Sequence, residues 1–305
     1  MIGSMKRLIK RLFVFLIMLV GLDLLSGFIF REMTKKAKGG DTARNEYIAH
    51  KVDAPILIFG SSRAIHHYVP KIFRDSLGMD CYNCGQDGMG IILFYGRYKM
   101  ITQRYIPKVI VYDVLSGFDL EQGDNYSYIG WLKPYYDIPG IDSIFWKIAP
   151  NERVKMCSQL YRYNGKILQM LLDNIKKTKE DESGYRPAFG TMAYEPQKNT
   201  DDRLICLDSI KLYYWEKFIA ECHKNGTELI FALSPFYGGN NSVRSKYAAI
   251  FDFSKKYGIP VINHYNDSDI INRKDLFMDS FHMNYKGAEM YSKKIVGEIN
   301  SKNIK

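Results

Sequence analysis

The sequence predicts an α/β fold, a parallel sheet covered by helices on both faces, preceded by one membrane helix. Two observations support this prediction. Five short strand-like segments, most of them apolar, alternate with segments of helical character, which is typical of strands buried in a three-layer sheet. A longer apolar stretch occupies residues 8–30. The 305-residue chain, 46% apolar, can also bury a large core.

The stretch at residues 8–30 is predicted to be an uncleaved signal anchor. A spanning helix needs about 20 mainly apolar residues, and residues 31–36 contain no small-x-small cleavage site. Basic residues flank both ends almost equally. The very short tail at residues 1–7 and the export-signal interpretation therefore favour a cytoplasmic N-terminus and an extracytoplasmic main domain. Asp23, costly in lipid, either pairs with a partner helix or reaches the interface.

The elements that follow are predicted in a regular order after a juxtamembrane linker at residues 31–50, of which residues 35–50 are either part of the linker or a first helix. Residues 120–200 interrupt the alternation with many aromatic residues and prolines. We interpret them as a mostly helical inserted cap over the active face, with extra hydrophobic packing as the alternative. One domain is thus expected over residues 51–300. Its strands are predicted at 55–59, 80–83, 108–114, 228–235 and 259–263, and its helices at 70–77, 91–105, 243–257 and 287–300.

Charge and cysteine content narrow the range of functions. The net charge of +10 is spread widely, without a long basic run. It suits an anionic envelope polymer or a membrane surface, or is ordinary surface charge, and we expect no nucleic-acid partner. Five cysteines are too few and too scattered for a disulfide framework. Cys81 and Cys84 match C-x-x-C, but they lie in or beside a predicted strand, whereas a redox pair is expected to open a helix.

Two short motifs, about 220 residues apart, carry the residue types of a serine acyl-transfer triad. Gly60-Ser61-Ser62 directly follows the first predicted strand, and Asp279-Ser280-Phe281-His282 lies near the end. Serine is a weak nucleophile until an imidazole takes its proton and a carboxylate orients that imidazole. We therefore predict Ser62 as nucleophile, His282 as general base and Asp279 as the orienting carboxylate.

These motifs resemble the blocks of the SGNH (GDSL-like) hydrolase superfamily. The resemblance rests on Gly-x-Ser after the first strand and on D-S-x-H-x-N-x-x-G at residues 279–287. The family's usual middle residue in the first block is Asp, and here it is Ser61. That variant resembles a membrane-anchored branch whose members attach D-alanine or acetyl groups to envelope polymers. The resemblance implies a flavodoxin-like three-layer sheet of the SGNH hydrolase type.

The resemblance also implies where the oxyanion would be bound. Residues 83–88 match the spacing of the family's second block, so the backbone N–H of Gly88 is the expected donor, together with that of Ser62. The family's third block, G-x-N-D, supplies an Asn side chain. Residues 113–119 contain no Asn. Either another group replaces it or oxyanion stabilisation is weaker, which fits slow transfer or lost activity.

Four further residues are candidates for substrate contacts: Arg63, His66, His67 and Asn284. His66 and His67 suit an anionic or hydroxylated substrate, and Asn284 is also expected to shape the start of the last helix. The two histidines lack nearby carboxylate or cysteine ligands at a suitable spacing, so we expect no metal and no cofactor.

The sequence as a whole predicts a membrane-anchored, extracytoplasmic serine esterase or O-acyltransferase. Its expected substrate is an acyl ester of a cell-envelope glycan or glycolipid, because the anchor disfavours a soluble metabolite. The alternative is a catalytically inert subunit of the same fold that binds glycan or assists a membrane-bound acyltransferase partner. The missing Asn and Asp23 favour this alternative, and the complete Ser, Asp and His set opposes it.

Overall fold

The computed structural model describes residues 2–175, 182–194, 205–239 and 243–301. The chain divides into two compact units. One, here called the anchor unit, comprises Met1–Tyr47 and Gly130–Lys179, and the other, the sheet unit, comprises Ile48–Ile129 and Glu180–Lys305.

Helices and strands of the described residues have the following bounds. The strands are β1 (Ile56–Gly60), β2 (Cys81–Asn83), β3 (Val109–Asp113), β4 (Glu228–Leu233) and β5 (Val261–Asn263). The α-helices are α1 (Ile2–Lys35), α2 (Gly40–His50), α3 (Ser62–His67), α4 (Pro70–Leu77), α5 (Ile91–Ile101), α6 (Ser116–Asp119), α7 (Tyr126–Ile129), α8 (Ile141–Ile148), α9 (Glu152–Lys155), α10 (Gln159–Tyr163), α11 (Ile167–Ile175), α12 (Ser209–Asn225), α13 (Val243–Lys246), α14 (Ala248–Tyr257), α15 (Ser268–Ile271) and α16 (Tyr285–Ser301). Short 3-10 helices occupy Gly130–Tyr135, Glu182–Gly184 and Lys274–Leu276.

The sheet unit contains a five-stranded parallel sheet in the order β2-β1-β3-β4-β5. The predicted α/β fold is therefore confirmed, with all five strands in the predicted places. Residues of β1 and β3 are buried throughout, which explains their continuous apolar runs. The chain turns from β1 to β2 on one side and then crosses to β3 on the other. Ligands of such sheets bind beyond the carboxyl ends of the strands at this reversal.

Helices cover the sheet largely as predicted. α4 has the predicted bounds, with Pro70 in its first turn and Gly78 in the left-handed conformation at its end. The predicted helix at 243–257 is two helices in the structure, because Tyr247 departs from helical geometry between them. α5 ends at Ile101, four residues earlier than predicted, and α16 begins two residues earlier.

Aromatic side chains fill much of the core beside the sheet. Phe59, Tyr112 and Phe218 pack together with ring centroids 6.0–6.4 Å apart. Aromatic contacts of this kind add to the hydrophobic stabilisation of the core. Cys81 is buried with its thiol free, and burial raises its pKa well above the ordinary value. The C-x-x-C pair is therefore part of the core, and Cys81 lacks the reactive thiolate that redox chemistry requires.

The anchor unit is built on α1. Among the described residues, α1 is the one helix long and apolar enough to cross a membrane, a property that signal sequences share. Asp23, within its apolar run, accepts hydrogen bonds from the Ser158 hydroxyl (2.6 Å) and from the backbone N–H groups of Gln159 (2.8 Å) and Leu160 (3.0 Å). It thus satisfies the first N–H groups of α10. The interpretation of Asp23 as paired with a helix agrees with these contacts, and that helix lies in the same chain.

The segment predicted as one insertion at residues 120–200 is divided in the structure. Residues 130–175 belong to the anchor unit and are mostly helical, whereas residues 120–129 and 182–194 belong to the sheet unit. Residues 176–181 and 195–200 lie outside the described residues. This grouping differs from the single domain expected over 51–300. That residues 130–175 cover the active face stays a prediction.

Candidate active site

Ser62 lies where the chain passes from β1 into α3. Gly60 ends the strand with φ +132°, a conformation that L-residues with a side chain rarely adopt. A Cβ at Gly60 would also lie 2.4 Å from the carbonyl oxygen of Asp113 on the neighbouring strand. Glycine therefore permits the sharp turn that presents Ser62. As the first residue of α3, Ser62 has a backbone N–H without an intrahelical acceptor.

Asp279 and His282 lie in a tight loop before α16. Phe277 and Met283 form an antiparallel bridge that closes the loop. Asp279 Oδ1 accepts hydrogen bonds from the N–H groups of Phe281 (2.8 Å) and His282 (2.9 Å). Asp279 therefore forms an Asx turn, which holds its carboxylate beside the ring of His282, three residues further along the chain.

The structure brings the three predicted triad residues together. Ser62 Oγ lies 2.8 Å from His282 Nε2, and His282 Nδ1 lies 2.9 Å from Asp279 Oδ2. Because a carboxylate only accepts, Nδ1 carries the proton, and Nε2 is left to accept from the Ser62 hydroxyl. The His282 and Asp279 side chains are partly exposed, at 24% and 31%, so a substrate can reach them from solvent.

The carboxyl of Asp279 is suited to orienting the histidine. Partial burial raises the pKa of Asp279. Hydrogen bonds from the His282 ring and from the two loop N–H groups lower it by more, so the pKa lies below its ordinary value. Asp279 is therefore ionised at neutral pH. An ionised carboxylate holds the imidazole tautomer and stabilises the imidazolium that forms during proton transfer.

His67 is buried, and its ring joins two segments of the site. Its Nε2 accepts a hydrogen bond from the Met283 N–H (3.0 Å), and its Nδ1 donates to Ser234 Oγ (3.1 Å). Burial, with the positive charge of Arg63 nearby, lowers the pKa of His67 well below the ordinary value, so the ring is neutral and can accept. His67 thus positions the loop of His282, which corrects the expectation of a substrate contact.

Arg63 is also buried, at 1% exposed. Its guanidinium donates to the Val114 carbonyl (2.8 Å), to the Ser234 carbonyl (3.3 Å) and to Asp113 Oδ1 (3.3 Å). The residue after the nucleophile therefore fastens α3 to the ends of β3 and β4. This placement corrects the expectation that Arg63 contacts substrate, because its charge already has a buried partner.

Asn284 has a structural position at the start of α16 and is 2% exposed. Its amide donates to the carbonyls of Gly190 (3.0 Å) and Asp275 (2.8 Å), and its Oδ1 accepts from the N–H groups of Lys286 and Gly287. The predicted helix-shaping role agrees with these contacts, whereas a substrate contact does not.

His66 lies on the exposed side of the site, next to the triad. Its ring is edge-on to that of His282, with centroids 5.7 Å apart. Nδ1 donates to the Arg186 carbonyl (2.6 Å), and Nε2 lies 3.4 Å from Asp87 Oδ1. Although burial raises the pKa of Asp87, His66 and Arg186 together lower it below the ordinary value. Sequence reasoning missed Asp87 and Arg186, although Asp87 immediately precedes the predicted Gly88.

Gly88 lies in the turn after β2 and is partly exposed, with φ +67°. This turn is held against α3 by Asn83, whose amide donates to the carbonyls of Ala64 (2.7 Å) and Tyr68 (3.1 Å). A Cβ at Gly85 would lie 2.8 Å from the Ile65 nitrogen, so glycine allows the close approach. The turn and α3 are thereby fixed together.

The segment after β3, which has no Asn, forms a short helix. Residues 116–119 form α6, in which Ser116 and Asp119 are buried. Asp119 accepts from the Leu115 N–H (2.8 Å) and from the Tyr112 hydroxyl (2.7 Å). Ser116 and Asp119 are therefore part of the packed interior, and the backbone N–H groups of Ser62 and Gly88 stay the predicted oxyanion donors.

Comparisons with known proteins find similarity at the level of fold. No family model matches the sequence, and no curated protein matches it. Solved structures that resemble it include a G-D-S-L family lipolytic protein from Desulfitobacterium hafniense (9% identity, 79% of this chain and 97% of that one, TM-score 0.42). Others are the psychrotrophic esterase EstA from Pseudoalteromonas (10%, 81% and 96%, 0.42) and a GDSL-like lipase from Bacteroides thetaiotaomicron (10%, 85% and 97%, 0.40). The function of this chain is therefore inferred from the geometry of its site.

Proposed function

We propose that this chain is a membrane-anchored serine esterase or O-acyltransferase, acting outside the cytoplasm on an acyl ester of a cell-envelope glycan or glycolipid. The observation that carries the proposal is the contact of Ser62 Oγ with His282 Nε2 at 2.8 Å, with Asp279 on the far side of the ring. Nucleophile, base and orienting acid thus stand in the order that acyl transfer requires.

The geometry defines the steps of the reaction. As Ser62 Oγ attacks the ester carbonyl, its proton passes to His282 Nε2, and the Asp279 carboxylate stabilises the resulting imidazolium. Negative charge on the carbonyl oxygen is stabilised by the N–H groups of Ser62 and Gly88. His282 then gives the proton to the departing alcohol, which leaves an acyl-enzyme. Water regenerates the serine in an esterase, and a sugar hydroxyl does so in a transferase.

The envelope substrate is supported by the anchor and by the polar surroundings of the triad. α1 would keep the site near a membrane. The partly exposed groups beside His282 are His66, Asp87 and Arg186, which suit a hydroxyl-rich ligand with hydrogen-bonding groups of both kinds. An apolar acyl-chain pocket would instead require aliphatic side chains at these positions.

The alternative, an inert glycan-binding or assembly subunit, is favoured by the absence of an Asn after β3. The second feature that favoured this alternative was Asp23, and the structure accounts for it within the chain. Asp23 is bonded to Ser158 and to the N-terminus of α10 in the same chain, so it no longer calls for a partner helix from another protein.

The two functions are separated by labelling with a fluorophosphonate probe, which reacts with activated serines. We expect the intact protein to be labelled and Ser62→Ala to be unlabelled, with loss of turnover of a small acetyl ester. The matched control is Ser61→Ala, because the Ser61 hydroxyl is buried and has no hydrogen-bond partner among the residues that the structure describes. Ser61→Ala should keep labelling and fold. An unlabelled parent, or equal loss in both variants, would contradict the enzymatic proposal.

A further inference from the structure

Helix α11 of the anchor unit exposes its apolar side chains, whereas a helix on the surface of a water-soluble protein usually buries them. Leu168, Leu171, Leu172 and Ile175 are exposed by 71%, 41%, 51% and 78%. Their spacing of three and four residues places them on one face of the helix. A surface helix of a water-soluble protein directs such a stripe inward, so this apolar face requires a partner other than water.

The opposite face of α11, which carries Met170, Asp173 and Asn174, packs within the anchor unit. Asp173 Oδ2 accepts from the Thr42 N–H (3.0 Å), and the amide of Asn174 donates to the Met33 carbonyl (3.0 Å). Buried Met170 lies 3.3 Å, through its sulfur, from the Thr34 hydroxyl. The orientation of α11 is therefore fixed by specific contacts, and the apolar stripe faces outward because of them.

The positions of these contacts along α1 indicate the depth at which α11 and α10 would lie in a bilayer. The apolar run of α1 ends near Phe30, and α11 contacts the turns that follow, at Met33 and Thr34. α10 contacts α1 deeper in the run, at Asp23. Seven residues of helix, at 1.5 Å each, place Asp23 about 10 Å inside the end of the apolar run.

The far side of α1 is exposed over the same turns. Leu24, Leu25 and Phe28 are 59%, 55% and 64% exposed, whereas Gly27 faces α10 so closely that a Cβ would lie 2.4 Å from that of Gln159. Lipid that surrounds α1 at this depth must therefore also meet α10, whose Leu160 is 46% exposed.

From this arrangement we propose that α10 and α11 form a membrane-docking surface. Their exposed leucines and Ile175 enter the headgroup–acyl boundary of the leaflet that holds the C-terminal end of α1. The occupant is lipid because the surface is continuous with the exposed apolar side of α1.

This inference rests on the membrane anchoring in the proposed function and is independent of the catalytic activity. The protein would thus contact the bilayer in two ways, through the spanning helix α1 and through the interfacial surface of α10 and α11. The amphipathic stripe would hold the anchor unit in the boundary region, as interfacial helices do.

The test is a depth measurement on the full-length protein in phospholipid vesicles. The exposed cysteines, Cys157 and Cys206, are replaced by serine, while the three buried ones remain. Single cysteines are then introduced as Leu172→Cys in α11, Leu16→Cys in α1 and Lys255→Cys in α14, and each is labelled with an environment-sensitive fluorophore. Quenching is measured with lipids that carry a spin label near the headgroup or deep in the acyl chain.

We expect the label at position 172 to be quenched most strongly by the shallow spin label, at least about twofold more than the label at 255. The label at 16 should be quenched most by the deep one. Quenching at 16 without quenching at 172 would overturn the docking surface and leave the anchor intact. Absence of quenching at both would refute the anchor itself. The label at 172 could also be unquenched and shielded from water, with the shielding lost on dilution. That result would identify a second copy of the chain as the occupant and would also overturn the proposal.

Discussion

The buried ion pair behind the nucleophile should have a large and pH-dependent effect on stability. The side chains of Arg63 and Asp113 are 1% and 0% exposed, and Tyr68 donates a second hydrogen bond to the carboxylate at 2.6 Å. Arg63→Met keeps a long apolar stem but removes every donor. It therefore leaves Asp113 without its positive partner and leaves the carbonyls of Val114 and Ser234 without the guanidinium.

The size of the effect follows from these contacts. Breaking a buried ion pair by removing one partner costs about 3–5 kcal/mol, because the remaining charge is not compensated. For a unit of this size each kcal/mol shifts the melting temperature by about 2–4 °C. Arg63→Met should therefore lower the melting temperature by about 10 °C at neutral pH, as measured by circular dichroism.

The penalty should shrink in acid. Burial already raises the pKa of Asp113, and Arg63 opposes this rise, so the substitution raises that pKa further. A carboxyl whose pKa is higher in the folded than in the unfolded state loses stability as pH rises through the folded-state value, and regains it in acid. The melting-temperature difference between Arg63→Met and the parent should thus be largest at neutral pH and smaller at about pH 5.

A double variant tests whether the pair is the cause. Arg63→Met combined with Asp113→Leu removes both charges, and a buried pair replaced by apolar residues is often neutral in stability. The double variant should therefore be more stable than Arg63→Met alone. A double variant as unstable as the sum of the two single changes, or a penalty independent of pH, would refute this reasoning.

Three further predictions concern the turn, the triad and the last helix. Gly60→Ala forces a Cβ to 2.4 Å from a strand carbonyl at positive φ, so it should abolish fluorophosphonate labelling and cost about 2–5 kcal/mol in denaturant unfolding. Asp279→Asn should lower ester turnover by about 10²–10⁴-fold in a kinetic assay. Because the pKa of Asp279 is depressed below 3.8 in the folded protein, its carboxylate stabilises the fold above that pH, and this stabilisation is lost in acid. The melting temperature of Asp279→Asn should therefore fall less in acid than that of the parent. Asn284→Ala should destabilise by about 2–3 kcal/mol, whereas the exposed Asn300→Ala, with one 3.5 Å bond, should change urea stability by less than about 0.5 kcal/mol.

The parts of the fold that local pattern determines could be predicted from the sequence. β1, β3 and β4 are continuous apolar runs because both faces are covered, and α4 is bounded by a proline and a glycine. The spacing of Asp279 and His282 likewise reflects a local turn. Such features need no knowledge of distant residues.

Features that depend on distant partners were missed. His67 has the sequence position of a substrate-binding residue, but it meets Ser234 and Met283, more than 160 residues away. Arg63 is used in the same way, because Asp113 and Ser234 become its neighbours only when the sheet has formed. The grouping of residues 130–175 with α1 also depends on non-local contacts, of which the Asp23 cap is one.

The Asp23 cap has a consequence for biogenesis. Asp23 precedes Ser158 by 135 residues, so under the proposed membrane anchoring α1 would be synthesised and inserted before its capping partner exists. During that interval an acidic group stands in the apolar run with no hydrogen-bond donors from α10, a state that is expensive in lipid. Once residues 158–160 emerge, their donors neutralise this cost, and the free energy released favours assembly of the helical segment against α1. Under the proposed anchoring, α1 would thus serve as the template on which the anchor unit is completed.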